Sequence, residues 1–440
     1  MNNMKPSGIE GFGDIPADWE TNKMAYVFSF GKGLSITKED LQDEGIPSIT
    51  YGDIHSRFGF QINPEVDGVR CVDFRYLRTA RNSLLQFGDF IFADTSEDIA
   101  GSGNFTHLNS HAPAFAGYHT ITARSKREVS VRFMAYLFDS EPFRNQIRNS
   151  VSGVKVFSIT QSIIKSAKLL LPPLHEQRAI AAFLDERCGQ VDVIIADLER
   201  QVELLRRYKK SLISETVTKG LDKNVPMRDS GIGWIGTMPS HWKMKRLKFL
   251  GTARNGLTYN PDDIVDEDKG TLVLRSSNIQ NDKLAFEDNV YVRCPIPREI
   301  VLQKNDILIC SRNGSQALIG KCALIDEKTA GQTYGAFMCV FRSQYNRFIH
   351  YVFLSDIFNY YLGTFLTSTV NQLTNMNLYN MTIPIPMDIK EQMDIVNSLD
   401  SKCADVDSLI FEKLRSIETV WKYKLSLIYE YVTGKKRVSS

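Results

Sequence analysis

The chain has 440 residues, of which 43% are hydrophobic and 24% are charged, and its formal net charge is +2. This length is typical of two to four domains, and the composition is that of a globular protein with enough apolar residues for real cores. The near-neutral charge excludes a polybasic nucleic-acid arm, whereas a local basic stripe that binds DNA is compatible with it.

Seven cysteines are scattered along the chain, and none stands in a Cys-x-x-Cys pair. This spacing argues against a zinc ribbon and against a disulfide framework. The apolar runs are shorter than a membrane-spanning helix, and the first residues do not have the pattern of a signal peptide. We therefore expect a reduced, cytoplasmic protein that makes no contact with a membrane.

The first part of the chain has the pattern of a mixed α/β domain with short strands. A Gly-rich lead reaches a Pro-x-x-Trp motif at Trp19, and Gly33 follows the tryptophan after 14 residues. Residues 88–94 predict a turn and a buried strand, which the polar loop 95–104 follows. Apolar residues at spacings of three and four predict a helix over residues 131–149.

A long helix is predicted next, over residues 178–217. It follows Pro172 and Pro173, and its apolar residues recur every seven positions. That spacing is an a/d seam of five heptads, which is typical of a helix in a coiled coil. A single helix cannot bury its own apolar stripe, so the seam needs a partner. The seam positions are Leu184, Cys188, Val191, Ile195, Leu198, Val202, Leu205 and Leu212.

The partner helix is in the same chain, because the second half repeats the first. The Glu-Gln pair at Glu176 returns at Glu391, and the Pro-x-x-Trp motif returns at Trp242. Residues 307–310 and 347–364 predict the matching strand and helix. The repeat indicates two tandem halves of about 220 residues, each a globular domain followed by a long helix. The second seam reads Leu399, Cys403, Val406, Ile410, Ile417, Val420 and Leu427, with Lys413 interrupting it.

A variable domain, a strand that ends in proline, [HK]-E-Q and a long heptad helix, all repeated twice, resemble the specificity (S) subunit of type I restriction–modification systems. The resemblance covers the full chain. It implies an α/β (α+β) fold in which two similar target recognition domains are separated by two long antiparallel coiled-coil helices, as a pseudo-two-fold tandem repeat. The domains would cover residues 1–168 and 221–382, and the central and distal helices residues 169–220 and 383–440.

The same resemblance implies a function. Each recognition domain would read one half of a bipartite DNA site, and the site would be asymmetric because the two domains differ in sequence. The helices would be a spacer and the platform for two methyltransferase (M) subunits, through which restriction (R) subunits join the complex. The chain itself would be non-catalytic and would bind no cofactor. S-adenosylmethionine and ATP with Mg²⁺ would belong to the partner subunits.

Polar loops in both domains supply side chains that can read bases. Arginine suits guanine, asparagine and glutamine suit adenine, and hydroxyl groups suit either base. Lys155 and Lys321 are candidate phosphate contacts. In the first domain the candidate DNA-binding residues are Tyr51, Asp53, His55, Arg57, Ser96, Ser102, Asn104 and His107. In the second domain they are Arg275, Ser276, Ser277, Asn278, Arg312, Asn313, Ser315 and Gln316.

Patterns of catalytic and metal sites fit the chain poorly. Residues 314–322 have five residues between the glycines where a phosphate loop has four, and Cys322 replaces the metal-binding hydroxyl residue. His107 and His111 are four apart, but nearby Gly and Pro argue against a helical metal pair. An Asn-Pro-Pro-Tyr tetrapeptide, which holds the flipped base in adenine methyltransferases, is missing. We therefore predict a DNA-recognition subunit rather than a methyltransferase or nuclease. The alternative is a coiled-coil scaffold or adaptor that binds other proteins.

Overall fold

A computed structural model describes residues 3–153, 155–366 and 371–438. The chain divides into two compact units. The first comprises Met1–Asp197 with Ser416–Ser440, and the second comprises Leu198–Arg415. Because the two long helices each contribute to both units, every unit holds one globular domain, one part of the first long helix and the opposite part of the second.

Short strands and short helices precede the first long helix. The strands are β1 (Met4–Pro6), β2 (Asp14–Pro16), β3 (Glu20–Lys23), β4 (Phe28–Lys32), β5 (Ile46–Ile49), β6 (Phe60–Ile62), β7 (Cys71–Val72), β8 (Phe90–Ala93), β9 (Thr95–Ser96), β10 (Phe105–Leu108), β11 (Phe115–Ala116), β12 (Thr120–Ser125), β13 (Phe157–Ser158) and β14 (Lys168–Leu171). The helices are α1 (Met24–Val27), α2 (Tyr51–Ser56), α3 (Tyr76–Thr79), α4 (Val131–Asp139), α5 (Glu141–Arg148), α6 (Gln161–Ser166) and the long α7 (Leu174–Lys219).

The second globular domain follows the same plan. Its strands are β15 (Met227–Asp229), β16 (Thr237–Pro239), β17 (Lys243–Arg246), β18 (Thr252–Asn255), β19 (Ile264–Val265), β20 (Thr271–Leu274), β21 (Ile279–Gln280), β22 (Lys283–Leu284), β23 (Tyr291–Val292), β24 (Ile307–Cys310), β25 (Cys322–Leu324), β26 (Thr333–Tyr334), β27 (Met338–Arg342) and β28 (Thr382–Ile385). Its helices are α8 (Asn346–Phe353), α9 (Asp356–Phe365), α10 (Asn375–Asn380) and the long α11 (Ile389–Val432).

Two sheets form the centre of each domain. In the first unit they have the orders β4-β12-β8-β10-β6 and β11-β5-β7, and in the second β18-β27-β24-β25 and β19-β23-β20-β26. The predicted strands at 90–93 and 307–310 are β8 and β24, whose four residues are all buried. The strand before each long helix pairs antiparallel with the strand after the tryptophan, β14 with β3 and β28 with β17. The mixed helix-and-sheet fold class is thus confirmed.

The prediction of single helices over residues 131–149 and 347–364 is wrong. Each segment is two helices, broken at Ser140 in the first domain and at Ser355 in the second. The hydroxyl groups of these serines donate to the carbonyls of Leu137 and Val352, both at 2.6 Å. Such side-chain bonds to the backbone compete with continuation of the helix. Pro142 is a second reason for the break in the first domain. Proline is tolerated in the first turn of a helix and disrupts a helix interior, so a new helix has to begin next to it.

In the first unit, the beginning of α7 packs against the end of α11. Leu184 and Cys188 share a core with Leu427 and Ile428, and the Lys424 ammonium lies 2.6 Å from the Asp192 carboxylate. Burial raises the pKa of the Cys188 thiol to about 11, so this cysteine stays protonated near neutral pH and acts as a small core residue. Cys188 is one of the predicted seam positions, and its burial agrees with that prediction.

In the second unit, the end of α7 packs against the beginning of α11. Ile213 and Val217 share a core with Leu399 and Cys403, and Lys209 pairs with Asp407 at 2.7 Å. The start of one helix therefore meets the end of the other within each unit, which confirms the antiparallel arrangement. Among the helices of the described residues, none is long and apolar enough to cross a membrane.

The repeated Glu-Gln pair connects each long helix to its domain. The buried indole N–H of Trp19 donates to Glu176 at 3.0 Å, and that of Trp242 donates to Glu391 at 2.8 Å. The glutamine that follows, Gln177, donates to the carbonyl of Pro172 at 2.9 Å. A buried donor without an acceptor lowers the stability of the fold, so each indole N–H requires this glutamate, which lies about 150 residues away in the chain.

Leu184-Asp185 recurs in the second half as Leu399-Asp400. This pair lies between two and three helical turns after the Glu-Gln pair and makes a second connection. Asp185 accepts a hydrogen bond from the hydroxyl of Tyr136 at 2.8 Å and forms an ion pair with Arg132. Asp400 accepts from Tyr351 at 2.6 Å in the same way. Burial raises the pKa of both tyrosines, and the carboxylate beside each raises it further. The hydroxyl groups therefore remain donors at every physiological pH.

We predict that Glu176→Ala destabilises the first unit by about 1–3 kcal/mol, because the buried Trp19 indole N–H loses its acceptor. The measurement is urea denaturation followed by tryptophan fluorescence. Glu186→Ala is the control, since this glutamate is exposed on the same helix and belongs to the same unit, and it should change the free energy of unfolding by less than about 0.5 kcal/mol. Equal effects of the two substitutions would contradict a structural role for the Trp19–Glu176 bond.

Candidate nucleic-acid interface

One turn has the same geometry in both domains, at the end of β5 and of β20. Asp53 accepts hydrogen bonds from the backbone N–H of Thr50 at 3.0 Å and from its hydroxyl at 2.7 Å. Asn278 accepts from the backbone N–H of Arg275 at 2.9 Å, and its amide donates to the carbonyl of Ala285 at 2.9 Å. Asp53 and Asn278, both candidate base contacts, therefore use their polar atoms to hold the turn.

In each domain a buried aspartate pairs with a partly exposed arginine next to the central strand, and the sequence did not reveal this pair. Asp89 caps the backbone N–H of Gln86 at 2.8 Å and binds Arg124 at 2.6 Å. Asp306 does the same with Gln303 at 2.8 Å and Arg342 at 2.6 Å in the second domain. The hydrogen bond to each carboxylate raises the pKa of its arginine. The Asp shared by the repeated strand segments was the available signal.

The first domain brings three candidate residues into one chain of contacts. His55 Nε2 lies 2.8 Å from the carbonyl oxygen of Thr95, so Nε2 is the donor. His55 Nδ1 then accepts from the Asn104 amide at 2.9 Å, and Asn104 Oδ1 accepts from Arg144 at 2.6 Å. The ring of Tyr51 meets His55 edge to face at 6.2 Å between ring centroids. These contacts join the loops that follow β5 and β8.

Other first-domain candidates divide into buried and exposed groups. Ser96, Ser102 and His107 are buried, so their side chains face the inside of the domain. Arg57 is exposed, and its guanidinium stacks over the ring of Phe58 at 4.7 Å. Lys155 is exposed as well. Exposed cations suit phosphate contacts, and buried hydroxyl groups do not suit base contacts in this conformation.

His107 illustrates why burial decides the role of a polar residue. Its Nδ1 donates to the carbonyl of Phe60 at 2.7 Å, and the ring lies against Phe60 and Phe90. Burial lowers the pKa of His107 to about 4. The neutral imidazole therefore belongs to the core and adds stability only while it stays unprotonated.

We predict that the free energy of unfolding falls as the pH is lowered from about 6.5 towards 4. In that window His107 is protonated in the unfolded chain and neutral in the folded chain, so protonation favours unfolding. The resulting decrease in the free energy of unfolding is at most about 3 kcal/mol. His107→Gln should reduce this pH dependence in urea titrations at pH 7, 6 and 5. His111→Gln, at an exposed position, should leave it unchanged. An unaltered slope in His107→Gln would count against the buried neutral imidazole.

The second domain gathers its candidate residues at the ends of β20 and β24. The Asn313 amide donates to Ser276 at 3.2 Å, and Asn313 Oδ1 accepts from the backbone N–H of Ser315 at 3.0 Å. The guanidinium of Arg312 lies over the ring of Phe337, 5.3 Å from its centroid. The structure thus places Asn313 against Ser276 and its neighbour Arg312 against Phe337.

The remaining second-domain candidates lie around this group. Gln316 and Lys321 are exposed, whereas Ser277 is partly buried and its hydroxyl has no hydrogen-bond partner among the described residues. Arg275 forms an ion pair with Asp288 at 2.8 Å. Groups of three or more metal-ligating side chains were not found in the described parts of the chain.

The two domains share one framework and carry different polar loops on it. A family model described as type I restriction modification DNA specificity domain matches residues 16–203 and 239–418. These matches cover more than half of the chain and fall once in each half. The chain belongs to this family of type I DNA specificity proteins.

Particular relatives agree with the family match. The MjaVIII specificity subunit of Methanocaldococcus jannaschii is 26% identical over 319 residues, covering 69% of this chain and 71% of the relative. The StySPI specificity subunit of Salmonella potsdam is 24% identical over 413 residues, covering 90% of this chain and 84% of the relative. A solved structure, described as concerning complex assembly and conformational transition of the type I R-M system, is similar with a TM-score of 0.67 and 17% identity, covering 96% and 99% of the two chains. That likeness shows a shared fold.

Proposed function

We propose that the chain reads a bipartite, asymmetric DNA site, with one half-site for each globular domain. The observation that carries the proposal is the contrast between a repeated framework and divergent loops. The tryptophan–glutamate, aspartate–arginine and tyrosine–aspartate contacts occur in both domains with nearly equal distances. The loops at the ends of β5, β8, β20 and β24 carry different side chains on that framework. Equal frameworks with unequal loops suit two different half-sites.

The exposed polar residues give this proposal its chemistry. Arg312 and Gln316 are exposed and have the donors and acceptors that discriminate bases in the major groove. Arg57, Lys155 and Lys321 are exposed cations for phosphate oxygens. Phosphate contacts orient a protein on DNA, and base contacts select the sequence. We therefore propose base contacts only for those candidate DNA-binding residues whose side chains are exposed.

The chain is further proposed to dock two methyltransferase subunits through its long helices, with restriction subunits joining through them. Large apolar side chains on both helices point away from the cores. Phe411 is 66% exposed, Val193 70% and Trp421 49%. Apolar surface of this kind, when contiguous, marks a protein interface because its burial is favourable. Methyl transfer, cleavage, S-adenosylmethionine and ATP with Mg²⁺ would then belong to those partners, and this chain would be non-catalytic.

A domain exchange tests the division of the site. Replacing residues 1–168 by the same segment of a family relative should change one half of the methylated sequence and leave the other half unchanged. The control exchange of residues 221–382 should change the opposite half. Methylation mapping of the host genome reads both results. If both halves change together, the domains are not independent readers. If no methylated sequence depends on the chain, the scaffold alternative is favoured.

A substitution on the helix surface tests the docking. Phe411→Asp should prevent co-purification of the methyltransferase subunits, because it places a charge in a predominantly apolar contact. The fold should persist, with a thermal midpoint within a few degrees of the wild type, since the side chain is exposed. Phe74→Asp is the matched control, because Phe74 is 63% exposed on the first globular domain. Full assembly of the Phe411→Asp variant would contradict docking at this surface.

A further inference from the structure

Each domain holds an exposed ring-bearing side chain at the turn before the strand β12 or β27, and in the first domain Tyr118 adds a second, half-buried ring. In the first domain this residue is His119, two positions after Gly117, and in the second it is Phe337, two positions after Gly335. Both glycines donate their backbone N–H to the end of the neighbouring strand, Gly117 to Ile49 at 2.7 Å and Gly335 to Leu274 at 3.0 Å. His119 and Phe337 therefore occupy equivalent positions.

The backbone at both positions is held firmly. The carbonyl of His119 accepts the N–H of Asp94 at 3.1 Å, with His119 itself at a φ of 56° in the left-handed region. The carbonyl of Phe337 accepts the N–H groups of Ser311 and Arg312, both at 3.0 Å, and the Ser311 hydroxyl at 2.9 Å. A left-handed histidine is strained, and strain of this kind persists where the surroundings impose it. The turn thus fixes where each ring stands.

Both rings nevertheless remain in solvent. The His119 side chain is 58% exposed, and Phe337 is 60% exposed. The strand residues that follow them, from Thr120 and Met338 onward, are buried. A ring with a fixed backbone and a free face loses little conformational entropy when it contacts a ligand. The two positions are preorganised for contact.

The neighbours of these rings are residues that the sequence predicted for DNA binding. The ring of Tyr51 meets His119 edge to face at 5.4 Å, and the Arg312 guanidinium lies over Phe337. Beyond Arg312, Asn313 binds Ser276 at 3.2 Å. The loops that follow β5 and β8, or β20 and β24, therefore converge on the ring in each domain.

We propose that His119 and Phe337 are specificity-determining residues, each contacting base pairs of the half-site that its own domain reads. The proposal rests on the proposed function, and it adds two residues outside the original set. Framework residues are alike in the two domains, whereas these equivalent, exposed and fixed positions carry an imidazole in one and a phenyl ring in the other. A difference at such a position is what two unequal half-sites require.

The chemistry of the two rings differs in a defined way. His119 Nδ1 lies 3.1 Å from the carboxylate of Asp94, which can only accept, so Nδ1 carries the proton and Nε2 of the neutral ring is an acceptor. An acceptor in the major groove selects the amino group of adenine or cytosine. Phe337 offers an apolar face to a thymine methyl group and orients the Arg312 fork, which suits guanine.

The test uses the full chain assembled with its methyltransferase subunits. The wild-type site is first found by methylation mapping, and binding is then measured on duplexes in which each base pair is replaced in turn. His119→Ala should reduce discrimination at one or two adjacent positions of one half-site by roughly 5- to 150-fold, the range for one lost base contact. Phe337→Ala should do the same in the other half-site. Tyr26→Ala and Phe249→Ala are matched controls, since these residues are 71% and 68% exposed and each lies seven residues after its domain's tryptophan.

The outcomes separate this inference from the proposed function. Local loss of discrimination in opposite half-sites, with both controls unchanged, supports the inference. Unchanged discrimination, or equal weakening on every duplex, overturns it while the proposed function stands. A wild-type complex without sequence preference would overturn both. Should an alanine variant not assemble, His119→Gln or Phe337→Leu replaces it under the same criteria, because each keeps most of the side-chain volume.

Discussion

The hydrogen bond between a buried indole and a helix carboxylate is the contact on which each half of the molecule depends. Trp19 and Trp242 lie in the cores of their domains, and their N–H groups reach Glu176 and Glu391 in the first turns of the long helices. Each indole depends on its glutamate, because a buried N–H without an acceptor costs about 1–3 kcal/mol. The bond therefore fixes where each helix starts relative to its own sheet. Once that start is fixed, Asp185 or Asp400 meets its tyrosine two turns or so later.

Antiparallel pairing of the long helices follows from the need to bury their apolar stripes. An amphipathic helix exposes its apolar stripe unless another helix covers it. In the first unit Leu427 and Ile428 cover Leu184 and Cys188, and the Asp192–Lys424 ion pair lies beside them. The second unit repeats this arrangement with its own residues. Apolar side chains that are left over on the outer helix surface have no such cover within either unit, which is why we assign them to partner subunits.

Specificity and stability use different residues in these domains. Polar residues such as Asp53, Asn278 and His107 have the side chains of base contacts. In the structure, however, Asp53 and Asn278 hold turns, and His107 is buried in the core. The exposed rings of His119 and Phe337 attract no notice in the sequence, because a histidine and a phenylalanine 218 positions apart do not resemble a repeat. A framework that fixes the backbone leaves exposed positions free to differ between domains. Under the proposed function, such a division would allow new DNA sites to be read without loss of the fold.

The tandem halves, the long seamed helices and the recurring residues could be predicted from the amino-acid sequence, because periodicity and repetition are properties of the chain alone. Glu176, Asp185 and Asp192 recur in the second half as Glu391, Asp400 and Asp407. Their partners lie far away in the chain, and only folding brings them together. The breaks at Ser140 and Ser355 likewise depend on a local choice between side-chain and backbone hydrogen bonds that apolar spacing does not reveal. Which polar residues face solvent was decided by tertiary structure alone, since a side chain's type specifies its chemistry and the packing around it specifies its direction.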